Sequence, residues 1–183
     1  MLWLWVLIAV SVVIVLTFFM YYNRFVVLSN RIANSLSQIN VQLKRRADLI
    51  PNLINTVKGF AKHEKAAIKT VTDARKALVG AKGIENKINA NNLLESALGK
   101  LFAIAEAYPD LKANTNFLEL QRELSTTEDR IAYARQFYND SILSYNNMIQ
   151  KLPGNFFARL YGRKEKEYLK IAEVEKKVVK VDF

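Results

Sequence analysis

The chain has 183 residues, 51% of them apolar, and 27 Lys and Arg against 17 Asp and Glu give a formal net charge of +10. That apolar share argues against general disorder, and about 160 residues beyond the N-terminal run suffice for one domain with a continuous core. Cysteine is absent, which excludes disulfides, thiol nucleophiles and cysteine metal sites without choosing a redox compartment.

Met1 to Tyr22 hold no charged side chain, and only Ser11 and Thr17 interrupt the aliphatic and aromatic run. At 1.5 Å per residue, Leu2 to Tyr22 cover roughly 31 Å, which matches the ~30 Å hydrocarbon core of a bilayer. The run reads as a transmembrane helix. A secretory signal needs a basic start and a small-residue cleavage site, whereas here bulky Phe18, Phe19, Met20, Tyr21 and Tyr22 close the segment, so it is expected to be retained. Trp3 and Trp5 at one end, with Tyr21 and Tyr22 at the other, fall where amphipathic rings sit at the headgroup level. Arg24 and Arg31 follow within the first turns, then Lys44, Arg45 and Arg46, and the first acid is Asp48. The positive-inside rule then places residues 23–183 in the cytoplasm, anchored to the cell inner (cytoplasmic) membrane by a single pass.

Glycine and proline are sparse, 6 and 3, and the residues between them favour helix, so the class is all-α. From Ile32 the positions Leu36, Ile39, Leu43, Arg46, Ile50, Leu53, Val57 and Phe60 alternate spacings of four and three. That is a coiled-coil seam with one charge on it. No glycine or proline separates it from Tyr22, so the membrane helix is expected to continue into it. Pro51 removes a hydrogen bond at a cost of about 3 kcal/mol and either kinks the rod or restarts it near Asp48; the kept register favours the kink. Ile68, Val71, Leu78 and Val79 extend the pattern to Gly80 and Gly83, a first stroke of about 57 residues.

A second stroke, about 84–108, stripes Leu94, Leu98, Leu101, Ala105 and Tyr108 and ends at Pro109; its cluster of Asn86, Asn89, Asn91 and Asn92 blurs its start. A third opens on Asn116 as N-cap with Glu119 in the capping-box position. It stripes Phe117, Leu124, Glu128, Ile131, Arg135, Tyr138, Ile142, Tyr145 and Ile149 before Pro153 and Gly154. A short aromatic helix at 155–161 and a charged tail follow, and Val178 to Phe183 alternate like a strand or a frayed end. The expected organisation is an anchor at 1–22, an antiparallel bundle of about four helices at 23–154, and the aromatic helix with its tail at 155–183.

Chemistry is thinly represented. His63 lies beside Lys62, Glu64 and Lys65 with no second ligand one turn away, which reads as a surface residue. Glu128 and Asp129 are adjacent and point apart on a helix, and the serines and threonines have no partner base. No catalytic residue, cofactor or metal is assigned. Arg46 is the sharpest position. A charge on an apolar seam either meets a counter-charge, for which Glu128 is in register with Arg135 beside it, or snorkels to solvent at the edge of the stripe.

Residues 23–79 hold 11 Lys and Arg against 3 acids. The excess reads as a solvated face plus positive-inside bias, or as attraction to an anionic leaflet that, on a straight rod, only Arg24 and Arg31 reach. A nucleic-acid partner is not expected, since no clamp, finger or stacking motif accompanies the charge.

Val41-Gln42-Leu43-Lys44-Arg45-Arg46-Ala47-Asp48-Leu49-Ile50-Pro51-Asn52-Leu53, running on through Val57-Lys58-Gly59-Phe60-Ala61 to His63-Glu64, resembles the signature of the bacterial LemA family. So do Glu106 to Asn114, Leu120 to Leu124 with Glu128, Ala134-Arg135, Tyr138-Asn139 to Tyr145-Asn146, and Pro153 to Tyr168. The resemblance implies a membrane anchor on an antiparallel helical bundle of about four helices. It supplies no reaction, and implies an envelope-associated structural or adaptor role, with some relatives linked to membrane organelle formation.

The first stroke outruns its return, which leaves Ile32, Leu36, Ile39 and Leu43 without an intrachain partner. Phe156 and Phe157 either cap the bundle or dock on a neighbour. These six residues are the expected contacts of a homo-oligomer. The expected function is a self-associating scaffold in membrane or envelope organisation. The alternative is a tethered adaptor holding a protein partner or anionic lipid through its basic first helix.

Overall fold

The computed structural model describes residues 1–169. Those residues form α1 (Leu2–Phe60), α2 (Lys65–Gly80), α3 (Ile84–Ala105), α4 (Pro109–Lys112), α5 (Thr115–Gln150) and α6 (Gly154–Leu160), with no strand among them. The fold is all-α. The alternating segment Val178 to Phe183 lies outside the described residues.

The apolar N-terminal run continues without interruption into the polar part of α1, and Pro51 sits inside that helix. Proline has no N–H to give the carbonyl four residues back, so Ala47 loses its helical partner. Arg75 of α2 fills the vacancy, its Nε–H donating to the Ala47 oxygen at 2.7 Å. The first stroke nevertheless stops at Phe60, short of the expected Gly80, because Lys62 to Lys65 carry no apolar side chain to continue the seam and the chain turns at 61–64. Glu64 holds this corner by accepting the Tyr108 hydroxyl proton at 2.8 Å. α5 starts two residues earlier than expected, with Asn114 rather than Asn116 as its cap: the Asn114 Oδ1 accepts the Phe117 N–H at 3.0 Å.

Two compact units divide the chain, Met1–Ser37 with Arg135–Tyr168 and Gln38–Ala134. Long helices α1 and α5 contribute to both, so the division cuts across the expected boundaries at 22 and 154. In the first unit the core is Phe25, Ile32, Ile142, Tyr145 and Ala158, flanked by Leu28, Tyr138, Met148, Ile149, Phe157 and Tyr161. α6 folds back onto α1. Tyr21 stacks on Phe157 at 4.6 Å, Tyr161 meets Phe18 edge-on at 5.1 Å, and the Tyr161 hydroxyl donates to the Phe18 carbonyl at 2.6 Å. That return needs Gly154, where an added Cβ would lie 2.1 Å from the Met148 carbonyl oxygen. Beyond α6, Asn146 clamps Lys166, its Nδ2 donating to the Lys166 carbonyl and its Oδ1 accepting the Lys166 N–H, each at 2.9 Å.

The second unit buries Ile39, Leu43, Ile50, Leu53 and Val57 of α1, Val71 and Leu78 of α2, Leu94, Leu98 and Leu101 of α3, and Leu124 and Ile131 of α5. The stripes at spacings of three and four are what place these side chains on single faces.

The expected oligomer seam is corrected here. Ile32, Ile39 and Leu43 are 6%, 0% and 3% exposed within the single chain, and Leu36 is half-buried. The expectation failed because the first stroke breaks at 61–64, so α2 and α3 close over its far half, while α5, 36 residues long, places Ile142 against Ile32 in the first unit. Phe157 is likewise spent on Tyr21, and of the six expected contacts Phe156 alone remains exposed, at 65%.

Candidate functional site

Arg46 is 3% exposed in the second unit. It forms an ion pair with Glu128 of α5, whose side chain is 28% exposed. Its Nη1–H also donates to the Oδ1 of Asn91 on α3 at 3.1 Å, and Asn91 is buried too. Three helices thus meet at one guanidinium. Burial lowers the Arg46 pKa from the ordinary arginine range to about 10, opposed by the carboxylate of Glu95, one turn beyond Asn91 on α3. The group remains cationic at neutral pH. At the surface beside it, Arg45 pairs with Glu123 at 2.8 Å, a contact that water screens to about 1 kcal/mol or less. Arg135, seven residues past Glu128, is half-buried and belongs to the first unit.

A cleft of about 300 Å³ opens beside Arg46, with Glu95, Gln121, Ser125 and Glu128 among its walls. It brings carboxylates and a hydroxyl together but no histidine, for His63 is exposed on the corner after α1. No group of three His, Cys, Asp or Glu suited to a metal ion occurs among the described residues. The arrangement suits fixing helix register: the guanidinium is held by the Glu128 carboxylate of α5 and the Asn91 amide of α3.

The residues expected at a membrane surface lie in the first unit. Trp3, Trp5, Tyr22, Arg24 and Arg31 are exposed, and Tyr21 is half-buried under Phe157. α1 is the one helix among the described residues long and apolar enough to cross a membrane, and none of its first 22 residues is buried.

Sequence reasoning missed Asn91, Arg75 and Asn146. Asn91 had a signal, since it stands three and seven residues before Leu94 and Leu98 and so shares their buried stripe. Arg75 lies between Val71 and Leu78 on the packing face of α2, beside a proline that orphans a carbonyl.

Residues 35–183 match the LemA family. The chain is 30% identical over 183 residues to Magnetosome protein MamQ of Magnetospirillum gryphiswaldense, covering 86% of this chain and 67% of that protein. Magnetosome protein MamQ 1 of Paramagnetospirillum magneticum is 28% identical with the same coverage. Protein LemA of Metamycoplasma hominis is 26% identical over 148 residues, 80% of this chain and 68% of that protein.

Proposed function

The chain belongs to the LemA family, and on that premise we propose that it is a non-catalytic, single-pass membrane scaffold that self-associates and takes part in membrane or envelope organisation. The observation that carries this reading is α1 itself. An apolar run with no buried side chain passes unbroken into a bundle whose interior arginine is committed to structural partners. A helix that is continuous from the apolar run into the bundle ties the two together along one chain segment, which is what a membrane-tethered scaffold requires. Relatives carrying the name magnetosome protein support a role in membrane organisation. The charge pattern after Tyr22 supports a cytoplasmic bundle.

Self-association draws support from tethering, which confines copies to two dimensions and raises their effective concentration. It also draws on apolar surface that the single chain leaves open, Phe156 and the whole face of the apolar run. The membrane-proximal seam is not part of that surface. Electron microscopy of the full chain purified alone in detergent tests the proposal. A scaffold gives particles of several copies, whereas uniform single copies overturn self-association and leave the adaptor reading.

That second reading, a tethered adaptor engaging an anionic partner through its basic first helix, has one observation in its favour: Arg24 and Arg31 of α1 line a common cleft.

A further inference from the structure

We propose that this cleft in the first unit is a binding site for the headgroup of an anionic phospholipid of the phosphatidylglycerol class. Its volume is about 390 Å³, and it lies between α1, the last turns of α5 and the turn into α6. Arg24 and Arg31 enter from α1 and Lys151 from just beyond α5, with Ser144, Asn147 and Tyr21 also in the wall. No acidic residue lines it. None of the three cations forms an ion pair with a carboxylate among the described residues.

Position selects the ligand. Tyr22 closes the apolar run, and Arg24 stands two residues, about 3 Å, further along the helix. The polar layer on each side of a bilayer is about 5–8 Å deep, so Arg24 falls at phosphate level. Arg31 is seven residues later, two helical turns, and therefore on the same face. Its long side chain can lean back toward the interface as arginines beside membranes do. Lys151 closes the opposite wall.

Chemistry agrees with position. A guanidinium fork pairs with a phosphodiester through two parallel hydrogen bonds, and an ammonium adds a mobile charge. The Ser144 hydroxyl gives its proton to the Asp140 carbonyl at 2.9 Å and keeps its lone pairs, so it can accept from a glycerol hydroxyl. Asn147 can both donate and accept. Leu28 and Met148 give the cleft an apolar wall between its cations. A zwitterionic choline headgroup would bring its cation against three cations and is disfavoured.

The site rests on the anchor reading above, so the test separates the two. The full chain is reconstituted in nanodiscs of phosphatidylcholine with a minor share of phosphatidylglycerol. Lipid retained after detergent extraction is then counted by native mass spectrometry. Wild type is expected to retain phosphatidylglycerol over phosphatidylcholine by about tenfold or more. Arg24→Gln with Lys151→Gln abolishes that preference without changing helicity, since both side chains are exposed. Lys62→Gln with Lys65→Gln removes the same charge from exposed positions of the second unit and leaves the preference intact. Equal loss in both double variants would mean diffuse charge attraction and overturn the site, as would displacement of the lipid by millimolar inorganic phosphate, which would mark a free-anion site. Insertion without any preference overturns the site alone. Failure to insert into nanodiscs overturns the anchor and the site together.

Discussion

In the first unit α1 and α5 meet through Phe25, Ile32, Ile142 and Tyr145, and the hydroxyls of Ser35 and Ser141 lie 3.4 Å apart between them. In the second unit the same two helices meet across Arg46 and Glu128. The contrast lies in how directional each contact is. Rings and aliphatic side chains tolerate a small slide along the helix axis, and each serine already donates to its own helix, Ser35 to Arg31 and Ser141 to Phe137. A buried guanidinium does not tolerate a slide, because moving it off Glu128 and Asn91 strands a charge in a dry interior. Register is therefore specified in the second unit, and the first is left free to present its rings and cations beside the apolar run.

Removing the specifying charge should have the largest effect. Glu128→Ala leaves Arg46 buried against Asn91 alone, and a buried pair broken on one side costs about 3–5 kcal/mol; the partial exposure of Glu128 points to the lower end. Arg46→Ala should cost a similar amount. The double substitution should cost less than the two together in chemical denaturation, whereas strict additivity would mean that the two do not meet.

Gly154→Ala strikes the other unit. With only 2.1 Å between the new Cβ and the Met148 carbonyl, the turn must open, at about 1–3 kcal/mol. Amide exchange should rise over 154–160 while the second unit stays protected. Protection unchanged in α6 would show that the turn has slack.

The smallest effect sharpens the account of Pro51. Arg75→Met should cost about 1–2 kcal/mol by leaving the Ala47 carbonyl without its donor. The same substitution on a Pro51→Ala background should cost distinctly less, because an alanine N–H restores the helical bond. Equal costs on both backgrounds would mean that Arg75 acts through packing alone.

Much of this architecture is written in periodicity. The stripes of α1, α3 and α5 follow spacings of three and four, and Arg46 stands out because it interrupts one; heptad arithmetic then brings Glu128 to it. The break at 61–64 was not legible. Ile68 and Val71 fall nearly in phase with Val57, and a corner without proline, closed by the side chains of Glu64 and Tyr108, leaves little local signature. That single miss produced the false surplus of seam at Ile32, Ile39 and Leu43. Asn91 was hidden for a different reason: asparagine is a weak helix former, so its cluster read as an uncertain helix start when one member was a buried ligand of Arg46. The cleft of Arg24, Arg31 and Lys151 depends on the return of α5 to α1, a long-range pairing that local pattern does not encode.

The side of the membrane on which the bundle lies is the premise of the topology and of the headgroup site, and the absence of cysteine makes it directly measurable. A lone cysteine introduced as Val79→Cys, at an exposed position of the second unit, can be challenged with a membrane-impermeant maleimide in cells expressing the full chain. A cytoplasmic bundle held by a membrane-spanning helix gives no labelling in intact spheroplasts and full labelling once the inner membrane is permeabilised. Labelling in intact spheroplasts would place the bundle on the opposite side of the membrane and contradict the topology.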